Sequence, residues 1–257
     1  MKQIMEEKAQ NYKNGKKNYF SIMVALMAMT KVVKDSTITL TINNEISRSL
    51  SAIEDSLEEF AVGYLFNENM VKSIDDIEKI EINENHINVE IDDKLLKTKE
   101  TVLCSDSSGG WRSKIKEIEP ISSDFQVEAD ELINRIEELK NNAQIWQATG
   151  GTHVAGIVYK NNFIVKEDVS RHVAVDKVIG YGILHDYDLS NSYVIYSGRM
   201  PADMVIKIVR SGIPVLASNA APAYSGCETA KKGNVTLVGF LRGQRFNVYN
   251  NKNRIIF

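Results

Sequence analysis

From Trp146 onward strand-like and helix-like patterns take turns, and this alternation constrains the fold more than any other feature of the chain. Short apolar runs at 154–159, 163–165, 193–196, 214–218 and 235–240 have the length and composition of strands. Residues 173–184, 201–212 and 224–232 read as the intervening helices. The second opens with Pro201 near its first turn, carries Met204, Val205, Ile208 and Val209, and closes at Gly212. An earlier helix gathers Val127, Leu132, Ile133, Ile136 and Leu139 on one side. The pattern predicts an α/β layered domain over residues 119–257.

Upstream the rhythm differs. Ile38, Leu40 and Ile42 alternate as in a half-buried strand. Ser51 and Glu54 have capping-box spacing, and Leu57, Phe60, Ala61, Tyr64 and Leu65 then mark one stripe of a helix. Ile80, Ile82, Ile87, Val89 and Ile91 predict a hairpin turning through Asn83-Glu84-Asn85. Residues 36–118 therefore read as a smaller α+β domain ending in the loop of Cys104 and Ser105-Asp-Ser-Ser-Gly-Gly110. Residues 1–35 read as a partly disordered tail, with the apolar run 19–29 either frayed or an early helix packed on the core. That run falls short of the roughly 20 residues a spanning helix needs, and no small-x-small cleavage site follows it.

Composition removes several function classes. With 43% hydrophobic and 25% charged residues in 257, the chain can bury a substantial core and is not a disordered one. Thirty-one basic against thirty-four acidic side chains give a net charge of −3, so nothing draws the whole protein to nucleic acid. Two cysteines, Cys104 and Cys227, make no disulfide framework and read as reduced thiols of a cytoplasmic protein. Walker, dinucleotide, nucleophile-elbow and zinc-protease motifs are missing, as is the zinc-deaminase pair. The four scattered histidines give no metal site sequence support.

Four constellations could carry chemistry. In Thr149-Gly-Gly-Thr-His153, Gly150 and Gly151 permit close backbone approach and His153 adds a donor. Glu167, Asp168, Arg171, His172, Asp176 and Lys177 crowd a strand end and a helix start, where open α/β sheets place their sites. The same crowding also suits surface ion pairs capping a helix. Ser197, Gly198 and Arg199 precede the Pro201 helix, a ready anion site or a turn that binds only water. Phe240, Leu241, Arg242, Gly243, Gln244 and Arg245 place two arginines around a glycine, suited to phosphate or to a plain hairpin with solvated arginines. Cys104, in a Cys-x-x-Ser spacing with Ser107, is an accessible thiol that nearby positive charge would activate. Cys227 falls in a predicted helix and reads as a small packed side chain.

These segments in this order resemble the FdhD family, the formate dehydrogenase accessory sulfurtransferases. The likeness extends through Thr236-Leu-Val-Gly-Phe-Leu-Arg-Gly-Gln-Arg-Phe-Asn-Val-Tyr249 and the helix Leu57-Glu-Glu-Phe-Ala-Val-Gly-Tyr-Leu65, from about residue 36 to 250. The resemblance implies a cytoplasmic homodimer whose larger domain has a cytidine-deaminase-like α/β fold without the zinc. It implies a persulfide relay through Cys104 from a cysteine desulfurase to a molybdenum (or tungsten) bis-pterin guanine dinucleotide cofactor, delivered to formate dehydrogenase. The residues named above, from Gly150 to Arg245, would hold that cofactor, with Arg242 and Arg245 on its phosphates; GDP-like nucleotides would bind there too. No nucleic acid or membrane partner is implied.

The sequence departs from the family at telling places. A Cys-x-x-Cys pair is usual where this chain has one thiol, Gly-Arg-His-Asn becomes Ser170-Arg-His-Val173, and Ala-Pro-Thr becomes Ala221-Pro-Ala223. Pro201 and Asp203 stand where a hydroxyl residue and Glu are usual. A non-catalytic cofactor chaperone that has lost the relay is therefore the alternative function. An unrelated nucleotide-binding enzyme is the third reading.

Overall fold

The computed structural model describes residues 4–17, 20–95, 101–103, 111–113 and 118–257, with side chains over 30–95 and 118–257. Strands β1 (Ile4–Lys17) and β2 (Phe20–Val33) pair antiparallel, with Ile4 opposite Val33 and Lys17 opposite Phe20. The sequence pointed to a tail or an early helix here. A short apolar run carries no period that separates a strand from a buried helix, and backbone pairing with the polar β1 decides.

The smaller unit comprises β3 (Ser36–Ile42), β4 (Ile46–Ala52), α1 (Leu57–Asn67), β5 (Ile77–Asn83) and β6 (His86–Ile91), with strand order β4-β3-β6-β5. Alternation puts Ile38, Leu40, Ile42, Ile87, Val89 and Ile91 on one face, buried against Leu57, Phe60, Ala61 and Leu65 of α1. The predicted Ser51–Glu54 capping box does not form. Ser51 lies in β4 opposite Thr37 and donates to Asp35 at 2.5 Å, while Glu54 accepts from the Ser36 hydroxyl. Strand pairing thus overrides a local helix signal, and α1 starts after Ser56. Two short strands, β7 (Thr101–Leu103) and β8 (Trp111–Ser113), pair antiparallel. Cys104 and the loop through Gly110 lie outside the described residues.

The larger unit follows as β9 (Val127–Glu128), α2 (Ala129–Asn142), α3 (Gln144–Thr149), β10 (His153–Tyr159), β11 (Asn162–Asp168), α4 (Arg171–Leu184) and β12 (Ser192–Tyr196). It continues with α5 (Ala202–Arg210), β13 (Val215–Ser218), α6 (Tyr224–Gly233), β14 (Thr236–Arg242), β15 (Arg245–Tyr249) and β16 (Ile255–Ile256). Six strands form one sheet in the order β11-β10-β12-β13-β14-β15. The three central ones, β12, β13 and β14, are parallel, and the flanking pairs are antiparallel.

Both faces are covered, as the near-continuous apolar strands require. Ala155, Ile157, Val194, Leu216 and Leu237 pack under Val175, Val178, Ile179, Met204, Val205 and Ile208 of α4 and α5. Val154, Val158, Tyr193, Ile195 and Val238 pack under Leu132, Ile136 and Leu139 of α2. The protein is a mixed α/β fold with a layered main sheet. Among the described residues no helix is long and apolar enough to cross a membrane.

The two units meet where α1 crosses α4 at two glycines. A Cβ on Gly63 would stand 1.9 Å from the Asp176 carbonyl oxygen, and one on Gly180 would stand 1.8 Å from that of Glu59. Buried ions surround this crossing. Lys177 reaches Asp168 at 2.9 Å, Asp55 at 2.8 Å and the Ile53 carbonyl at 3.2 Å. Lys207 of α5 and Asn67 of α1 both donate to Asp176 at 2.6 Å. Replacing Gly180 by Ala must push the helices apart. The Gly180→Ala variant is expected to lose about 3 kcal/mol of stability in urea unfolding while keeping a native far-ultraviolet spectrum.

Candidate functional site

The sheet register brings the sequence motifs to one end. His153 opens β10 opposite Asp168, the last residue of β11, and Ala155 pairs with Tyr196 near the end of β12. The carboxyl ends of β12, β13 and β14 lie at this same end, and α4, α5 and α6 begin there. Ligands of open α/β sheets bind outside such strand ends, where helix N-termini favour anions.

Cross-links tie the converging loops together. Ser197 N–H donates to the Val154 carbonyl at 2.9 Å, and Val154 N–H donates to Ser197 Oγ at 3.0 Å. The Tyr196 hydroxyl donates to the Arg199 carbonyl, and Ser218 Oγ donates to the Gly198 carbonyl at 2.7 Å. A Cβ on Gly198 would come within 2.6 Å of the Tyr196 ring and 3.4 Å of Arg171 Cδ, so glycine lets this turn close. Gly226 plays a similar part, because its Cβ would stand 2.0 Å from the Met200 carbonyl oxygen.

The β14–β15 hairpin completes the rim. Phe240 has φ +54, its N–H donates to the Ala220 carbonyl at 3.0 Å, and the residue is 39% exposed. A bulky residue in the left-handed region is backbone strain of the kind functional sites hold. A register irregularity between Gly239 and Arg242 accompanies it. Arg242 Nε donates to the Asn219 carbonyl at 2.9 Å, and Arg242, Gln244 and Arg245 are exposed. Gly150 and Gly243 have φ of +67 and +53 with open space where a side chain would stand. Exposed Arg199 and half-buried Arg171 add further positive charge to this end.

Not every residue singled out in the sequence faces the cleft. Asp168 is wholly buried, with its oxygens committed to Lys177, Ser170 N–H at 2.9 Å and Ile53 N–H at 3.0 Å. Its side chain therefore joins the two units and does not line the rim. Leu241 is also fully buried, its side chain in the core beneath α2. Glu167 accepts from Ile145 and Trp146 N–H at 2.8 and 2.7 Å and from Thr152 at 2.8 Å, which fixes the start of α3. Gly151 is exposed, with Val33 beside it. Cys227 is partly buried against the core, and burial followed by the Glu228 charge pushes its thiol pKa up. Ser218 and Asn219 were not among the residues the sequence singled out; the turn residues of Asn219-Ala-Ala-Pro222 after an apolar strand are the signal that points to them.

His172, fully buried, places Nε2 3.2 Å from the Asp203 carboxylate and ties the start of α4 to that of α5. Burial pushes the Asp203 carboxyl up. The hydrogen bond and charge of His172 and the charge of Arg171 outweigh it and hold the pKa at about 2. A carboxyl depressed below its ordinary 3.8 stabilises the fold above that pH and ceases to do so as pH falls toward 2. Asp203→Asn is therefore expected to flatten the loss of urea stability between about pH 4 and pH 2 relative to the native chain. Among the described residues no group of three His, Cys, Asp or Glu side chains could hold a metal ion. A hollow of about 490 Å³ beside Tyr159 and Tyr193 opens at the opposite end of the sheet, away from every motif.

Comparison with known proteins gives the family and the fold. The sulfur carrier protein FdhD of Methanothermobacter thermautotrophicus is 47% identical over 227 residues, covering 88% of this chain and 92% of the relative. Protein FdhD of Methanocaldococcus jannaschii is 34% identical, covering 85% of this chain and 87% of its own. A crystal structure described as a formate dehydrogenase accessory protein from Desulfotalea psychrophila superposes with a TM-score of 0.81 at 27% identity. It covers 98% of this chain and 99% of that one. A model of the FdhD/NarQ family matches residues 33–256, and the chain belongs to that family.

Proposed function

We propose that this protein is a sulfur carrier. It takes persulfide sulfur from a cysteine desulfurase onto Cys104 and passes it to a molybdenum or tungsten bis-pterin guanine dinucleotide cofactor needed by formate dehydrogenase. The observation that carries this reading is the convergence of five separated segments on one arginine-bearing sheet end. Exposed guanidinium forks suit phosphate oxygens, and the open backbone at Gly150 and Gly243 suits a large flat cargo. The names of the relatives support the sulfur-carrier part. The cytoplasmic location and the homodimer belong to the same reading.

The first chemical step needs one thiol. The Cys104 thiolate attacks the outer sulfur of the desulfurase persulfide, the old S–S bond breaks, and the desulfurase leaves as thiolate. Cys104 then carries the persulfide. Its segment, 104–110, is bracketed by β7 and β8. A second reading, a cofactor chaperone without the relay, is favoured by the single thiol where the family usually has two.

Intact mass after incubation with a cysteine desulfurase and cysteine separates the two. One added sulfur atom, lost in Cys104→Ser and kept in Cys227→Ser, supports the relay; an unmodified native chain supports the chaperone. Calorimetric titration with GDP tests the cleft in either case. Arg242→Ala is expected to weaken binding about tenfold, and an unchanged affinity contradicts the placement of phosphate at this rim.

A further inference from the structure

One hydroxyl–imidazole contact at the mouth of β10 sets the chemistry of His153. Ser197 Oγ accepts the Val154 N–H at 3.0 Å and lies 3.5 Å from His153 Nδ1. A hydroxyl has one proton to donate, and among the described residues His153 Nδ1 is the acceptor within reach of Ser197. Donation to Nδ1 satisfies both capacities of the hydroxyl. The reverse arrangement, with Nδ1 protonated, strands the serine proton without a protein acceptor. A neutral imidazole whose Nδ1 accepts carries its own proton at Nε2.

The surroundings keep the ring neutral. Burial and then the Arg171 charge lower its pKa below the ordinary histidine value. The nearby carboxylates are engaged elsewhere. Asp168, opposite His153 in the register, is bound to Lys177, and Glu167 is bound to Thr152 and the start of α3. Asp203 is committed to His172.

We propose that Ser197 locks His153 as its Nε2–H tautomer, so that His153 offers the cleft a hydrogen-bond donor and not a base. The neighbouring groups have the same polarity. Arg171 Nε and Ser170 Oγ are buried atoms without a hydrogen-bond partner among the described residues, and both can donate. A donor at His153 Nε2 beside the positive charge of Arg171 selects a ligand oxygen, either of a phosphate or of a heterocycle carbonyl. The choice of ligand rests on the cofactor reading above; the tautomer does not.

Long-range ¹H–¹⁵N correlation spectra of ¹⁵N-histidine protein near neutral pH read the tautomer directly. The His153 signals are identified by their loss in His153→Gln. The native chain is expected to show a protonated Nε2 and a bare Nδ1, and Ser197→Ala a mixture of tautomers. A protonated Nδ1 or an imidazolium in the native chain overturns the proposal. GDP is expected to shift the Nε2 signal. Pyrophosphate reproducing that shift assigns the oxygen to phosphate, and guanosine reproducing it assigns the oxygen to the base carbonyl. GDP that binds by calorimetry without moving Nε2 overturns the donor role. GDP that fails to bind overturns the cofactor reading instead, and the tautomer result still decides the lock.

Discussion

The buried ammonium of Lys177 is the constraint around which the two units are joined. A charge with no access to water is tolerable only where carboxylates and carbonyls replace the lost hydration. Asp168 at the end of β11, Asp55 ahead of α1 and the Ile53 carbonyl supply that replacement. Burial pushes the Asp168 carboxyl up, while Lys177 and the N–H groups of Ser170 and Ile53 favour its charged form. None of these partners is close to Lys177 in an isolated unit except Asp168. The smaller unit must therefore sit where it does for the larger one to keep its ion pair satisfied.

That junction lies next to the candidate site at the end of the sheet. Ser170 is both a bonding partner of Asp168 and the residue before α4, so the interior network fixes where Arg171 and His172 emerge. His172 carries the constraint to Asp203 and α5, and Gly226 lets α6 press against Met200. Three helix N-termini and a set of arginines are thus held at one rim by apolar contact and buried polar bonds. The anionic cargo proposed for this rim would need little rearrangement of the protein, because the loops bearing the arginines are cross-linked to one another.

Much of the architecture was legible in the residues. The alternation of apolar runs located β10, β12, β13, β14 and helices α4, α5 and α6, because strand and helix periods are written directly into side-chain spacing. The hairpin through Glu84 followed from the same rule. The misreadings occurred where local signals met long-range pairing. Ser51 and Glu54 look like a cap but serve β4 and its neighbours, and the apolar run 20–29 is a strand paired with β1. The pairing of Ile255 with Val127 left no trace in spacing, since parallel partners so far apart are chosen by the fold.

The order and content of the motifs by themselves determined the family, the layered α/β class and the set of residues from Gly150 to Arg245 worth watching. Only the tertiary structure decided which of them face the cleft. Asp168 and Leu241 turn inward, while Arg242 and Arg245 turn out and Ser197 meets His153, 44 positions before it in the chain. The physical reason is that a residue type records what a side chain can bond to, whereas burial and register choose the partner it finds.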